Sequence, residues 1–206
     1  MKKILHIILI SLFSLTILSC AKKSGGGGSS TSTTTIYSTS CKNESSDDYS
    51  VIVSVILSGN NYEHKFSNYY GLNCIDLGWE RSFNYTYTET GTKTTYSGES
   101  TTKFDLIGSS VKYTPKNSTD QLWANQNEYC GFTNWLIDNT KDISGLTCSV
   151  SSTSTTTFFS AGDSRITNWY IYSDGQYLKL GDYSNNASVD SNGFANYLES
   201  TVYQRQ

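Results

Sequence analysis

The chain has 206 residues and a formal net charge of -3, from 15 Lys and Arg against 18 Asp and Glu. This acidic balance argues against nucleic acid as a partner and against electrostatic attraction to anionic lipid. Residues 41–206 suffice for one domain with one core.

The first 20 residues carry an export signal. Lys2 and Lys3 precede an apolar run at 4–18, and the letters ILSC that end at Cys20 resemble a bacterial lipobox. We therefore predict a signal peptide at 1–19 and lipidation of Cys20, with acyl chains as the link to the membrane. The alternative is an ordinary signal peptide or a membrane helix, although about 15 apolar residues fall short of the roughly 20 that span a bilayer.

The composition after Cys20 predicts a tether and then a disulfide-bonded domain. Ala21, where an inner-membrane lipoprotein would have Asp, resembles lipoproteins sorted to the outer membrane, so we place the protein in the cell envelope. Residues 20–40 are rich in Gly, Ser and Thr, which predicts a flexible tether, and the domain is assigned to 41–206.

Four cysteines follow the tether, and an even number in an oxidising compartment predicts two disulfides. Four cysteines allow three connectivities, of which proximity favours Cys41–Cys74 and Cys130–Cys148. There is no C-x-x-C pair, and His64 is the sole histidine after Cys20, so we predict no metal site and no cofactor.

Turn signals between segments that alternate apolar and polar residues predict four β-hairpins. A one-residue slip would turn every side chain to the other face of the sheet, so the alternation also predicts the register of each hairpin. The first two turn at Gly59-Asn60 and at Thr90-Gly91. The first pairs Leu57 with Tyr62, Val55 with His64, and Val53 with Phe66. The second places on its inward face Phe83, Tyr85, Tyr87 and Tyr96.

The third predicted hairpin turns at Gly108-Ser109, and the fourth turns at Asp174-Gly175, a strong type I′ signal. The third pairs Leu106 with Val111 and Phe104 with Tyr113, and sets Asp105 opposite Lys112. The fourth pairs Ile171 with Leu178 and Trp169 with Leu180, and turns outward Tyr170, Tyr172 and Tyr177.

Further strands are predicted at 132–137, 155–160 and 197–203, and one short helix after Ser118, where Ser118-x-x-Gln121 resembles a capping box. Together these elements predict an all-β fold, an antiparallel up-and-down barrel of about 8–10 strands with one short helix. A two-sheet β-sandwich is the alternative, with 115–154 as its long crossover.

The inward aromatic face is the main functional signal, since no catalytic pattern is present. The side chains expected to line the interior are Tyr62, His64, Phe66, Phe83, Tyr85, Tyr87, Tyr96, Tyr113 and Trp169. They form either a filled core or the wall of a calyx for one small molecule. His64 lies alone on an apolar face and no G-x-S-x-G turn occurs, so we expect no enzyme.

One predicted loop resembles a calcium-binding motif. The letters SVDSNG from Ser188, with Glu199 six residues after the glycine, nearly match an EF-hand loop. Ser188 stands where the pattern requires Asp, and no helical pattern flanks the segment. We therefore favour a polar surface loop over a metal site.

Several segments of the chain resemble bacterial lipocalin-like lipoproteins of uncharacterised function. The likeness rests on the lipobox and tether, the hairpins, and the stretches FDLIGSSVKYTP, CGFTNWLIDNTKDISGLTC and YIYSDGQYLKLG. It implies a non-enzymatic binder of a small hydrophobic or lipid-like ligand or of an envelope component. The alternative is a structural or interaction module that contacts protein or glycan through its tyrosine-rich faces and loops.

Overall fold

The computed structural model describes residues 33–43, 48–151, 154–184 and 188–206, all within one unit, Ser32–Gln206. The described strands, in chain order, are β1 (Thr34–Ser38), β2 (Lys42–Asn43), β3 (Tyr49–Ser58), β4 (Asn61–Tyr70), β5 (Asp76–Thr94), β6 (Ser100–Pro115), β7 (Lys141–Asp142), β8 (Thr147–Ser151), β9 (Ser154–Thr157), β10 (Ser164–Ile171), β11 (Tyr177–Leu180) and β12 (Tyr203–Arg205). The helix α1 spans Ser118–Gln126, and a single 3₁₀ turn spans Tyr129–Gly131.

Eight of these strands close into an antiparallel barrel. The hydrogen-bonded order runs β1-β12-β11-β10-β6-β5-β4-β3, and β1 pairs again with β3 to complete the circle. Strand β2 extends β3, β7 attaches to β6, and β8 pairs only with β9 among the described strands. The predicted up-and-down barrel with one helix is confirmed, and the sandwich alternative is not formed.

The first and fourth predicted hairpins have the expected registers. In the first, Val55 lies opposite His64 and Leu57 opposite Tyr62. The fourth hairpin pairs Trp169 with Leu180 and Ile171 with Leu178. The turn residues are Gly59-Asn60 in the first hairpin and Asp174-Gly175 in the fourth. Both turns lie between strands of alternating apolar residues, and turn and alternation together fix the register of a hairpin.

The second and third predicted turns are wrong, because β5 and β6 form one long hairpin. Their turn lies at Thr95–Glu99, where the Thr95 amide donates to the Glu99 carbonyl at 2.9 Å. At Gly91 the β5–β6 register shifts, with φ at +130°, so this glycine marks a bulge within a continuous strand.

Gly108 also lies within a strand, and its role is close packing. A Cβ at Gly108 would lie 2.6 Å from the Phe159 ring, which covers β6 at this point. The register shifts nearby, between Asn84 and Tyr85. Asp105 and Lys112 lie on the same strand, with Asp105 opposite Thr88 of β5 and Ile166 of β10, so the predicted cross-strand charge pair does not form.

The segment 132–137 forms no strand, although its aromatic composition predicted one. Trp135 is fully buried in a loop, and its backbone is bonded by side chains of α1. Its amide donates to Asn125 Oδ1 at 2.7 Å, and its carbonyl accepts from Gln121 and Asn125 at 3.0 Å each. Side-chain hydrogen bonds thus replace a strand ladder here.

The other expected elements differ in their bounds. Of the predicted strands at 155–160 and 197–203, the structure has only β9 and the short β12. The predicted helix forms, but Asn117 is its N-cap: Asn117 Oδ1 accepts the Asp120 amide at 3.0 Å. The capping box at Ser118 is therefore wrong by one residue.

The start of the domain lies earlier than predicted. Strand β1 falls inside the segment 20–40 that was assigned to the tether, and Tyr37 of this strand is buried in the core. The barrel cannot close without β1, since this strand joins β3 to β12. Cys20 and residues 1–19 lie outside the described residues.

The disulfides join Cys41 to Cys74 and Cys130 to Cys148, the pairs that proximity favours. The first ties the chain before β2 to the β4–β5 connection. The second ties the 3₁₀ turn to β8. The first therefore fixes a connection between two barrel strands, and the second joins two segments outside the eight barrel strands.

Candidate functional site

The inside of the barrel has a packed half and an open half. In the packed half, which adjoins the β3–β4 turn, inward side chains are at most 7% exposed: Tyr62, Tyr85, Phe104, Leu106, Trp169, Leu178 and Tyr203. Trp169 stacks on Tyr62 at 5.1 Å and lies 3.9 Å from the Phe104 ring, between centroids. Aromatic rings therefore fill this half.

In the other half, next to the α1 end of the barrel, some inward side chains keep accessible surface, while Val51, Val111 and Tyr113 are buried. The partly exposed ones are Val53, His64, Phe66, Trp79, Arg81 and Phe83. Their positions on β3, β4 and β5 all face the interior, because Val53 is opposite Phe66 and Phe66 is opposite Arg81. Accessible surface on inward side chains indicates space inside this half of the barrel.

A cleft of about 370 Å³ opens at this end of the barrel. The ends of β3 to β6 form one wall, and α1 with the 3₁₀ turn forms the other. The lining residues are Tyr49, Tyr70, Trp79, Arg81, Tyr113, Thr119, Asp120, Trp123 and Tyr129. Neighbouring rings touch around the wall, with Tyr113 4.8 Å from Tyr129 and Tyr129 5.4 Å from Trp123, between centroids.

Arg81 is the cation of this cleft. Its guanidinium carbon lies 5.2 to 6.0 Å from the centres of four rings, those of Phe66, Trp79, Phe83 and Phe158. Its Nε is buried and has no hydrogen-bond partner. Burial raises the pKa of the Tyr129 hydroxyl, and the Arg81 guanidinium opposes that rise through its charge and through a side-chain hydrogen bond to this hydroxyl.

Asp120 is the anion of the cleft. It lies in the first turn of α1, and its Oδ2 accepts the Tyr113 hydroxyl at 2.6 Å. Burial raises the pKa of the Asp120 carboxyl to about 6, against the lowering effect of that hydrogen bond. Burial and the nearby Asp120 charge in turn raise the pKa of Tyr113. The cleft therefore combines an apolar aromatic wall with one group of each charge.

His64 lies deeper in the barrel, among aromatic side chains. Its ring packs 4.7 Å from Phe66 and 6.2 Å from Tyr62, between centroids. Nε2 is buried without a hydrogen-bond partner, and burial lowers the pKa of the imidazole to about 4. A neutral imidazole among aromatic rings is suited to packing.

Eight of the nine predicted lining residues belong to the interior, and one does not. Tyr96 is 71% exposed at the β5–β6 turn, where it contacts Tyr197 at 5.3 Å between ring centroids. Its assignment to the inward face is wrong because the turn lies at Thr95–Glu99 and not at Gly91. Only Tyr113 of the predicted set lines the cleft at the barrel end.

Sequence reasoning missed the charged residues of the cleft. Arg81 and Trp79 continue the inward alternation of Phe83 and Tyr85 toward the start of β5, so the period of two could have found them. Asp120 and Tyr129 reach the cleft only through the packing of α1 and the 3₁₀ turn, and no local pattern signals this.

The loop that resembles an EF-hand calcium site, which begins at Ser188, binds the side chain of a lysine. Lys93 Nζ donates to Asp190 Oδ2 and to Asn196 Oδ1, both at 2.7 Å, and to the Phe194 carbonyl at 2.9 Å. The oxygens that could face a cation thus bind an ammonium of the chain itself. In the part of the chain that the structure describes, no three His, Cys, Asp or Glu side chains converge in a way that could hold a metal ion.

A tyrosine cluster lies on the outer face of β10 and the β10–β11 hairpin. Tyr172 lies 4.9 Å from Tyr170 and 5.7 Å from Tyr177, between ring centroids. All three side chains retain accessible surface. The predicted register of the fourth hairpin places the same three side chains on the outer face.

No protein-family model matches this chain, and a search of the curated proteins finds no relative. Among the described residues, no helix is long and apolar enough to cross a membrane.

Proposed function

We propose that this protein is an envelope-anchored lipoprotein that binds a small hydrophobic or lipid-like ligand in its barrel, without catalysing a reaction. The single observation that carries the proposal is the asymmetry of the interior. One half is filled mainly by buried rings, while in the half beside the cleft the inward apolar side chains of Val53, Phe66 and Phe83 stay partly accessible. A barrel of eight strands is of the size that holds one small molecule.

The chemistry of the cleft supports this proposal. Its volume of about 370 Å³ lies within the range of small-molecule sites, roughly 300–1,000 Å³. Such sites combine an aromatic wall with a few polar groups that orient the ligand. Here the rings supply the wall, and Arg81, Asp120 and Thr119 supply the polar groups.

Ligand binding is tested with a variant that fills the open half. Val53→Phe adds a ring beside Phe66, and we expect it to weaken binding of a fatty acid by at least about tenfold, since it removes the space for the chain. Binding is measured by tryptophan fluorescence, because Trp79 and Trp123 line the cleft. Mass spectrometry of an organic extract of the purified protein identifies any bound molecule.

Ile52→Phe is the matched control, because it adds the same ring to the outer face of the same strand. We expect its affinity to equal that of the original protein. Equal affinity of Val53→Phe and the original protein would contradict a ligand in the open half. An empty extract, together with no fluorescence response, would contradict the binding function.

The anchor is tested separately. Cys20→Ala removes the residue proposed to carry the acyl chains, and we expect the protein to move from the membrane to the soluble fraction after a carbonate wash. The barrel should keep its stability, since Cys20 precedes β1. Retention of the variant in washed membranes would contradict lipid anchoring at this cysteine.

The outer tyrosine cluster favours a second function, that of an interaction module contacting an envelope protein or a glycan. Tyr170, Tyr172 and Tyr177 form a contiguous amphipathic surface, and tyrosine provides contact area at a low entropic cost. This function becomes the stronger one if the barrel proves to bind no ligand. Replacing Tyr172 by Ala should then abolish binding to isolated envelopes without changing stability.

A further inference from the structure

Arg81 stands out in the cleft because its charge has no carboxylate partner. The ion pairs of the described residues join Lys65 to Glu80, Lys116 to Glu80 and Asp138, and Lys93 to Asp190. None of them includes Arg81. Glu80, its neighbour in sequence, points to the opposite face of β5, as alternation along a strand requires, and is already held by two lysines.

The surroundings of Arg81 use only part of its hydrogen-bonding capacity: the guanidinium interacts with the Tyr129 hydroxyl through a side-chain hydrogen bond, and its Nε has no acceptor among the described residues. Four aromatic rings offer their faces to the guanidinium, and ring faces attract a cation. Rings accept no conventional hydrogen bond, however, and the Nε is buried without an acceptor. A buried donor without a partner and a cation without a counter-ion both cost free energy, so an incoming anion would relieve both costs.

The other charged group of the cleft does not serve as this counter-ion. Asp120 accepts the Tyr113 hydroxyl at 2.6 Å, and no ion pair joins it to Arg81 within the described residues. The Tyr129 hydroxyl, by contrast, lies beside the Arg81 guanidinium and adds a second donor. Arg81 and Tyr129 thus form a site with several donors at the edge of an apolar space.

We infer that the ligand of the barrel is an anionic amphiphile, whose acidic oxygen headgroup binds the Arg81 guanidinium while its apolar part enters the open half. This inference rests on the proposed ligand binding and specifies its chemical class. Guanidinium is planar and binds the two oxygens of a carboxylate or phosphate together.

The test compares two probes that differ only in the headgroup, decanoate and decanol. For the original protein we expect decanoate to bind at least about tenfold more tightly, the effect of one hydrogen bond to a charged group. Arg81→Met keeps the length of the side chain and its ring contacts, and should reduce this preference to within about twofold. Decanol affinity should change little, because the apolar wall is retained.

Two variants separate the headgroup contact from general charge effects. Arg165→Met removes another guanidinium that lies over an aromatic ring, Phe159 at 5.4 Å, and should leave the preference unchanged. Asp120→Asn removes the anion of the cleft and should increase the preference for decanoate, since it ends a like-charge repulsion. A decrease with Asp120→Asn would contradict the inferred position of the headgroup.

The outcomes distinguish this inference from the function on which it rests. If both probes bind the original protein equally, ligand binding stands and the anionic class is wrong. If neither probe binds, the proposed function itself fails for ligands of this kind. The comparison on the original protein needs no variant, so it remains decisive even where Arg81→Met does not fold.

Discussion

Replacing Trp169 by Ala is expected to lower the free energy of unfolding by about 3–5 kcal/mol, the range for deleting a large buried aromatic side chain. Trp169 is 3% exposed and contacts the rings of Tyr62, Tyr87 and Phe104 in the packed half of the barrel. Alanine would leave these three rings facing an empty space. The change is measured from denaturant unfolding curves.

Two further substitutions separate packing from other causes. The Trp169 Nε1 is buried without a hydrogen-bond partner, so Trp169→Phe loses no hydrogen bond and should cost only about 1–2 kcal/mol for the smaller ring. Tyr170→Ala changes the neighbouring outward side chain and should cost less than about 1 kcal/mol. A loss below about 1 kcal/mol for Trp169→Ala would contradict a close-packed half.

The barrel could be predicted from the sequence where the turn signal was unambiguous. Asp174-Gly175 and Gly59-Asn60 each lie between alternating apolar residues, and both registers are as the alternation requires. Gly91 and Gly108 gave the same kind of signal and were misinterpreted as turns. A glycine within a strand serves equally for a bulge or for close packing, and only the facing Phe159 ring reveals which applies at Gly108.

The lengths of β5 and β6 also explain why the turns predicted at Gly91 and Gly108 are wrong. Strands have about 5–6 residues on average, so the 19-residue β5 is interpreted from sequence as the two arms of the second hairpin, and the 16-residue β6 as the two arms of the third. That division placed Tyr96 inside the barrel, whereas it lies on the outside at the true turn. One misplaced turn was thus sufficient to misplace a candidate lining residue.

The candidate site could be predicted only in part, for a physical reason. Charged residues are rarely buried without a partner, so Arg81 was not considered for an inward position despite the alternation around it. Its burial is tolerated because aromatic rings from two strands and from Phe158 surround it. This arrangement exists only after the barrel closes, and no window of sequence contains it.

The final expected result concerns acid. Burial holds the pKa of His64 at about 4 in the folded protein, against 6.5 for an ordinary histidine. The imidazole therefore binds a proton less readily in the folded protein than in the unfolded chain. As a result, the free energy of unfolding decreases as pH falls from about 6.5 to 4. At about 1.36 kcal/mol per pKa unit, this loss reaches about 3 kcal/mol near pH 4.

The total pH dependence will conceal this loss, because Asp120 acts in the opposite direction. Its pKa is raised to about 6, so its contribution destabilises the protein as pH rises from about 4 to 6. The measurement is therefore the difference in unfolding free energy between His64→Phe and the original protein, with its value at pH 8 as the reference. We expect this difference to shift by about 3 kcal/mol in favour of the variant between pH 8 and pH 4.

A direct titration checks the same claim. His64 is the only histidine after Cys20, so its imidazole proton resonance in a protein that begins at Cys20 is assigned without ambiguity. We expect a midpoint near 4 in the folded protein. A midpoint near 6.5, together with a stability difference that does not change with pH, would contradict a buried imidazole and show that water reaches its ring nitrogens.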